Sequence, residues 1–154
     1  YTLILAGGLK EEDRVYFDSL KERVNGAKNI QLKPNISYDE LLGLYLKSSY
    51  YWHFAGFGVD DTLHPELVEH FGITPIEAMA MGAIPFCFNA GGPKELIADG
   101  VNGYLFNDES ELIEKMSAIM GNEKKQNEIV ENARNYAQKN FSYEVYKQNL
   151  KKLL

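Results

Sequence analysis

Short apolar runs rich in β-forming residues alternate with amphipathic segments along this chain, and this alternation restricts its fold more than any other feature. The strand-like runs are Thr2–Ala6, Asn29–Leu32, Ser49–Phe54, Ile84–Phe88 and Tyr104–Phe106. Segments with helical periodicity follow at Glu11–Val24, Tyr38–Lys47, 74–81, Pro93–Ala98, Glu109–Met120, Lys124–Gln138 and Tyr143–Leu153. Strands joined to helices by short loops form parallel sheets with helices on both faces. The sequence therefore predicts an α/β, Rossmann-like fold.

Four loops of this predicted fold lie where ligands bind in open parallel sheets, beyond the carboxyl ends of the strands. They are Gly7–Lys10, Lys33–Asn35, His53–Glu69 and Asn89–Gly92. We expect a ligand site among them.

The stretch that follows the third of these loops carries the strongest chemical signal. Thr74 is predicted to cap a helix with Pro75 at its first position, and Gly82 is predicted to end it. A helix start offers unpaired N–H groups that suit a phosphate, and carboxylates beside it, Glu69 and Glu77, accept hydrogen bonds from sugar hydroxyls. Two plainer interpretations stay open. Thr74 and Glu77 also fit a capping box, and Glu69 alone fits a solvated loop acid.

Composition limits the other classes of function. The chain has 154 residues, enough for one domain, and a net charge of −6, which argues against nucleic acid as a main partner. Its one cysteine, Cys87, lies in an apolar run and is predicted to be a buried core thiol in a reducing compartment. The chain opens with Tyr in a strand-like run, so we expect a piece of a longer protein.

The segment EHFGITPIEAMAMGAIPF, followed by NAGGPKELIADGVNGYLF, resembles the signature of the retaining family 4 glycosyltransferases of GT-B fold. Upstream, LILAGG and NIQLKPNISYDELLGLY resemble the nucleotide half of the same domain. The resemblance implies that residues 1–154 are a single donor-binding domain of a larger two-domain enzyme. That enzyme would move a hexose from a UDP- or GDP-sugar to an acceptor hydroxyl with retention, without a metal or other cofactor.

Residue roles follow from the resemblance. Glu69 would be the catalytic residue, contacting sugar hydroxyls near the reacting carbon, and Glu77 would bind the ribose. The remaining predicted donor contacts are the amides of Phe71, Gly72 and Ile73, the loop of Lys33, Pro34 and Asn35 beside the base, His53, and Gly91 with Gly92. For His53 a satisfied core histidine is the other interpretation, and a tight turn would need the same two glycines.

The chain departs from the family pattern in two ways. The first strand-like run corresponds to the family's second, so the Arg and Lys that clamp the diphosphate are missing and a gap is expected beside Thr2–Ala6. The lobe that binds the acceptor sugar, lipid or glycan is also absent, so we expect no catalysis by this chain alone. The parent enzyme is expected to be cytoplasmic, with peripheral membrane association left open.

The alternative is a non-catalytic Rossmann-like module that binds a nucleotide or phosphate or serves as an interaction domain. A dinucleotide-binding version would need G-x-G-x-x-G after the first strand, and the stretch Gly7–Lys10 does not supply it.

Overall fold

The computed structural model describes residues 1–153. Contacts divide the chain into a first unit, Tyr1–Leu44, and a second unit that begins at Tyr45. The helices and strands are β1 (Leu3–Gly7), α1 (Arg14–Arg23), β2 (Ile30–Pro34), α2 (Tyr38–Lys47), β3 (Tyr50–His53), α3 (Ile73–Met81), β4 (Ile84–Phe88), α4 (Pro93–Leu96), β5 (Tyr104–Phe106), α5 (Glu109–Ile119), α6 (Glu123–Phe141) and α7 (Tyr143–Leu153). The single donor-binding domain over 1–154 stays a prediction.

All strand pairs within residues 1–153 are parallel, which confirms the predicted fold class. In the first unit β1 pairs with β2, with Leu3 opposite Ile30. In the second unit the strand order is β3-β4-β5, with Phe86 of β4 between Trp52 and Tyr104. Within residues 1–153, β2 is the only strand paired with β1. The gap expected beside the first strand stays a prediction.

Side chains of the first unit fix its loops. Ser37 Oγ accepts a hydrogen bond from the Glu40 amide at 3.2 Å, and the Glu40 carboxylate accepts one from the Ser37 amide at 2.9 Å. This reciprocal pair is a capping box at the start of α2, in which the two residues have the required spacing of three. Asn35, with a left-handed φ of 52°, accepts from the Leu9 amide at 2.8 Å and donates to the Leu9 carbonyl at 3.0 Å.

The core of the second unit is built around β4, all five residues of which are buried. Because side chains alternate along a strand, Ile84, Phe86 and Phe88 pack into one apolar cluster with side chains of α5 and α6. Cys87 joins a second cluster with Met79 and residues of α6. Both clusters include residues of α6. Burial of each large apolar side chain in them stabilises the fold by roughly 1.5–3 kcal/mol.

Cys87 has no exposed surface, and burial raises the pKa of its thiol to about 12. The thiol therefore stays protonated at neutral pH, as expected for a core side chain and not for a nucleophile.

The carboxyl end of α3 is held by a second helix. Gly82 ends α3 in the left-handed region, with φ 92°. Arg134 of α6 donates from Nη2 to the Met81 carbonyl at 3.2 Å. A guanidinium at this position satisfies a terminal carbonyl and suits the negative end of the helix dipole.

Candidate functional site

The amino-terminal tip of α3 differs in detail from the predicted one. The helix begins at Ile73, and Gly72, with φ 94°, is the N-cap residue. The predictions of Thr74 as N-cap and Pro75 as the first helical residue are therefore wrong, and so is the capping box with Glu77. The cause is a distant partner: the Tyr51 hydroxyl on β3 donates to Thr74 Oγ1 at 2.7 Å, which directs the Thr74 side chain toward the sheet.

The Glu69 carboxylate lies against the chain just before α3. Its Oε1 accepts hydrogen bonds from the amides of Phe71 at 3.1 Å and Gly72 at 3.2 Å. These bonds, that of Phe71 foremost, lower the pKa of Glu69 against the opposing effect of partial burial. The carboxylate is therefore ionised at neutral pH, and it occupies two of the three amides that the resemblance assigned to a donor. This contact is not evident from the sequence.

Two amides at the tip remain available. Within residues 1–153, the Ile73 and Thr74 N–H groups have no hydrogen-bond acceptor, and Pro75 has no N–H to offer. Ile73 is largely exposed and Thr74 is half-buried. Free amides at a helix start, together with the helix dipole, favour an anion.

His53, the last residue of β3, lies beside Glu69. Its side chain is only 9% exposed, and Nε2 is 3.8 Å from Glu69 Oε2. The Nδ1 atom is buried without a hydrogen-bond partner among the described residues. Burial lowers the pKa of His53, and the nearby Glu69 charge opposes this only in part. The imidazole is therefore mainly neutral at pH 7, so it does not cancel the charge of Glu69.

Glu77 lies on the second turn of α3 and borders a cleft of about 530 Å³. Phe71 and Ile73 line the same cleft, opposite Phe141 and Tyr146 from the region of α6 and α7. Glu69 does not line this cleft and faces His53 instead. The structure thus brings three of the predicted donor contacts, Phe71, Ile73 and Glu77, to one cleft. Glu69 and His53 lie against each other outside the lining of this cleft.

Gly91 and Gly92 pack against the backbone of residues 69–71. The Gly92 amide donates to the Glu69 carbonyl at 2.8 Å. A Cβ atom at Gly92 would lie 2.6 Å from the carbonyl oxygens of both His70 and Phe71, and one at Gly91 would overlap the Glu69 carbonyl. Because neither glycine has a side chain, the backbone of residues 91–92 can contact the backbone of residues 69–71. Direct contact of these glycines with a donor stays a prediction.

Asp61 connects the long loop after β3 to the turn that contains Gly91 and Gly92. Its Oδ2 accepts from the Gly91 amide at 3.1 Å and from Lys94 Nζ at 2.5 Å. The hydrogen bond from Lys94, followed by that from Gly91, lowers the pKa of the Asp61 carboxyl group. No sequence pattern predicts this contact, because the partners are 30 and 33 positions away and adjacent acids are common in solvated turns.

Lys33, Pro34 and Asn35 belong to the first unit, at and just after the end of β2. Asn35 is engaged with Leu9 through both side-chain polar atoms. The predicted contact of this loop with a base stays a prediction.

Comparisons with known proteins agree with this architecture. Residues 1–136 match the sequence pattern of the family described as glycosyl transferases group 1. The chain is 34% identical over 126 residues to the GDP-Man:Man(3)GlcNAc(2)-PP-Dol alpha-1,2-mannosyltransferase of Mus musculus, an alignment that covers 77% of this chain and 23% of that protein. It is 30% identical over 109 residues to sucrose synthase 5 of Oryza sativa, covering 68% of this chain and 13% of that protein.

Solved structures share the fold. HepE of Anabaena, in complex with UDP and glucose, superposes with a TM-score of 0.77 at 23% identity, covering 99% of this chain and 40% of that one. Sucrose-phosphate synthase of Thermosynechococcus elongatus gives a TM-score of 0.78 at 21% identity, covering 99% and 37%. The chain thus spans less than a third of the length of the curated relatives it matches. No helix within residues 1–153 has both the length and the apolar character needed to cross a membrane.

Proposed function

This chain belongs to the glycosyl transferases group 1 family, and on that premise we propose that it binds the nucleotide-sugar donor of a retaining hexosyltransferase. The longer enzyme would transfer a hexose from a nucleoside diphosphate to an acceptor hydroxyl. Because the mannosyltransferase relatives are named for GDP-Man and a PP-Dol-linked acceptor, we include GDP-mannose among the donors and a lipid-linked glycan among the acceptors. We propose a cytoplasmic enzyme that associates peripherally with a membrane.

One observation carries the proposal: the free Ile73 and Thr74 amides lie at the start of α3, immediately beyond the Glu69 carboxylate. Two adjacent free amides at a helix start can hold a phosphate oxygen. The departure of a nucleoside diphosphate places negative charge on such an oxygen, and fixed N–H donors stabilise that charge as it develops. The adjacent carboxylate accepts hydrogen bonds from sugar hydroxyls, which are donors that a phosphate lacks.

We propose further roles for other residues of the chain. Phe71, Gly72 and Ile73 would form the wall beside the sugar and the distal phosphate, and Glu77 would accept from the ribose hydroxyls. His53 would support Glu69 or touch the sugar. The loop of Lys33, Pro34 and Asn35 would border the base. We propose transfer without a metal ion, with the amides of α3 in the role that a cation has in other enzymes.

The test is a nuclear magnetic resonance titration of the ¹⁵N-labelled chain with UDP, GDP, UDP-glucose and GDP-mannose. We expect the Ile73 and Thr74 amide signals to shift progressively with at least one of these nucleotides. Glu77→Ala should weaken the effect. Glu109→Ala, which removes an acid from the first turn of α5 instead, should leave it unchanged. A folded chain whose tip amides do not respond to any of the four ligands would contradict the proposal and would favour a non-catalytic interaction module.

A further inference from the structure

The Glu69 side chain is bound where an anionic ligand would be expected to bind. Its Oε1 accepts from the Phe71 and Gly72 amides, and the next two amides along the chain, those of Ile73 and Thr74, have no acceptor among residues 1–153. Four consecutive N–H groups thus lie at one helix tip, and the protein's own carboxylate holds two of them. A phosphate must either displace this carboxylate or bind the other two amides beside a negative charge.

We propose that Glu69 is an intramolecular competitor for anions at this tip, so that it discriminates between the nucleotide-sugar donor and the free nucleoside diphosphate. The inference rests on the proposed function. It assigns to Glu69 a specificity role in addition to its contact with the sugar.

The two ligands differ in the charge that would face Glu69. The terminal phosphate of a free nucleoside diphosphate has a single substituent, the anhydride oxygen, and therefore a second acidic group with a pKa of about 6, so at pH 7 it carries nearly two negative charges. The same phosphate in a nucleotide sugar is also esterified to the sugar, so it keeps only one ionisable oxygen and one negative charge. Like charges a few ångströms apart repel, and the repulsion is greater for the free diphosphate. The sugar also places hydroxyl donors beside the carboxylate, which can accept hydrogen bonds from them, whereas the ionised terminal phosphate of the free diphosphate offers none there.

The surroundings of Glu69 preserve its charge. The amide bonds lower the pKa of its carboxyl group, and the side chain is one-third exposed. His53, 3.8 Å away, is held mainly neutral by burial. The competitor is therefore an ionised group at neutral pH, and it would be present both when the donor arrives and when the diphosphate leaves. Weak retention of the diphosphate would assist its release after transfer.

Isothermal titration calorimetry on the intact chain tests this, with UDP, UDP-glucose, GDP, GDP-mannose and inorganic pyrophosphate as probes. Glu69→Ala removes the charge and vacates the amides, and Glu69→Gln removes the charge but keeps the shape. Glu66→Gln is the matched control. It removes one negative charge three positions earlier, where the carboxylate contacts His64 and not the amides of the tip.

We expect Glu69→Ala to tighten binding of the free diphosphates and of pyrophosphate by about three- to tenfold, and Glu69→Gln to tighten it by less. The affinity for the sugar-bearing donors should not rise in parallel, because the contact with the sugar is lost, and Glu66→Gln should bind as the parent chain does. The inference is overturned if Glu69→Ala binds the free diphosphates with the same affinity as the parent chain or with a lower one. It is also overturned if the affinities for all ligands rise by the same factor. If neither the parent chain nor any variant binds a nucleotide, the proposed function itself fails and this inference fails with it.

Discussion

Replacing Gly92 by alanine tests how the turn that carries Glu69 is held. The backbone of Gly92, with φ −59° and ψ −42°, is one that alanine adopts readily, so the substitution introduces no strain in the dihedral angles. The added Cβ would lie 2.6 Å from the carbonyl oxygens of His70 and Phe71, whereas ordinary contacts begin at 3.4 Å. The two backbone segments must therefore separate by about 0.8 Å, the difference between these distances.

This separation has a calculable cost. Overpacking a close contact destabilises by about 1–3 kcal/mol. Stretching the 2.8 Å bond from the Gly92 amide to the Glu69 carbonyl removes about 1 kcal/mol more. Reduced freedom of the unfolded chain returns roughly 0.4–1 kcal/mol. The net loss is about 1–3.5 kcal/mol, which lowers the melting temperature of a chain of this size by roughly 3–11 °C.

Thermal unfolding followed by circular dichroism measures the effect, and Gly8→Ala is the control. A Cβ at Gly8 would meet no atom within 4 Å, so this variant should melt within 2 °C or so of the parent. Gly92→Ala should also weaken any nucleotide response at Ile73 and Thr74, because the segment between Glu69 and α3 moves with the turn. Equal melting temperatures for the two variants would refute the packing argument.

Three further predictions concern single side chains. The amide bonds to Glu69 lower its pKa below 4.5, so its ionised form stabilises the folded chain above that pH, and this contribution is lost as the pH falls through the lowered pKa. The melting temperatures of the parent chain and of Glu69→Gln should therefore converge in acid. A difference in melting temperature that does not change with pH would contradict this. Burial should bring the His53 titration midpoint below 6.5 in a ¹H–¹³C resonance experiment, and a midpoint above 6.5 would show that the Glu69 charge outweighs burial. Tyr51→Phe removes the hydrogen bond to Thr74 and should cost about 1 kcal/mol in urea unfolding, against little change for Tyr143→Phe on an exposed surface; equal effects would argue against the bond.

The parts of the fold that depend on neighbouring residues could be predicted from the sequence. Alternating apolar runs located all five strands, and the reciprocal bonds of Ser37 and Glu40 follow from a spacing of three residues. The parallel arrangement followed from the order of strands and helices. In each case either the interacting groups are close along the chain, or the order of strands and helices determines how the strands pair.

The details of the site depended on partners far along the chain. Thr74 fits the N-cap pattern, but the Tyr51 hydroxyl, 23 positions earlier, binds its side chain, and the cap falls on Gly72. The sequence placed Gly91 and Gly92 in either a turn or a phosphate contact. Their close approach to the backbone of residues 69–71 could be seen only once the two segments were in space. A sequence alone identifies groups that can bond, whereas the fold selects among their possible partners.

The fully buried strand β4 gives this protein a built-in reporter. A thiol reagent cannot reach Cys87 until β4 is uncovered, and the sequence contains no other cysteine to compete for it. The labelling rate in dilute urea would therefore measure how often the second unit opens, without any signal from the first. Repeated with a nucleotide present, the same rate would show whether ligand binding restrains that opening.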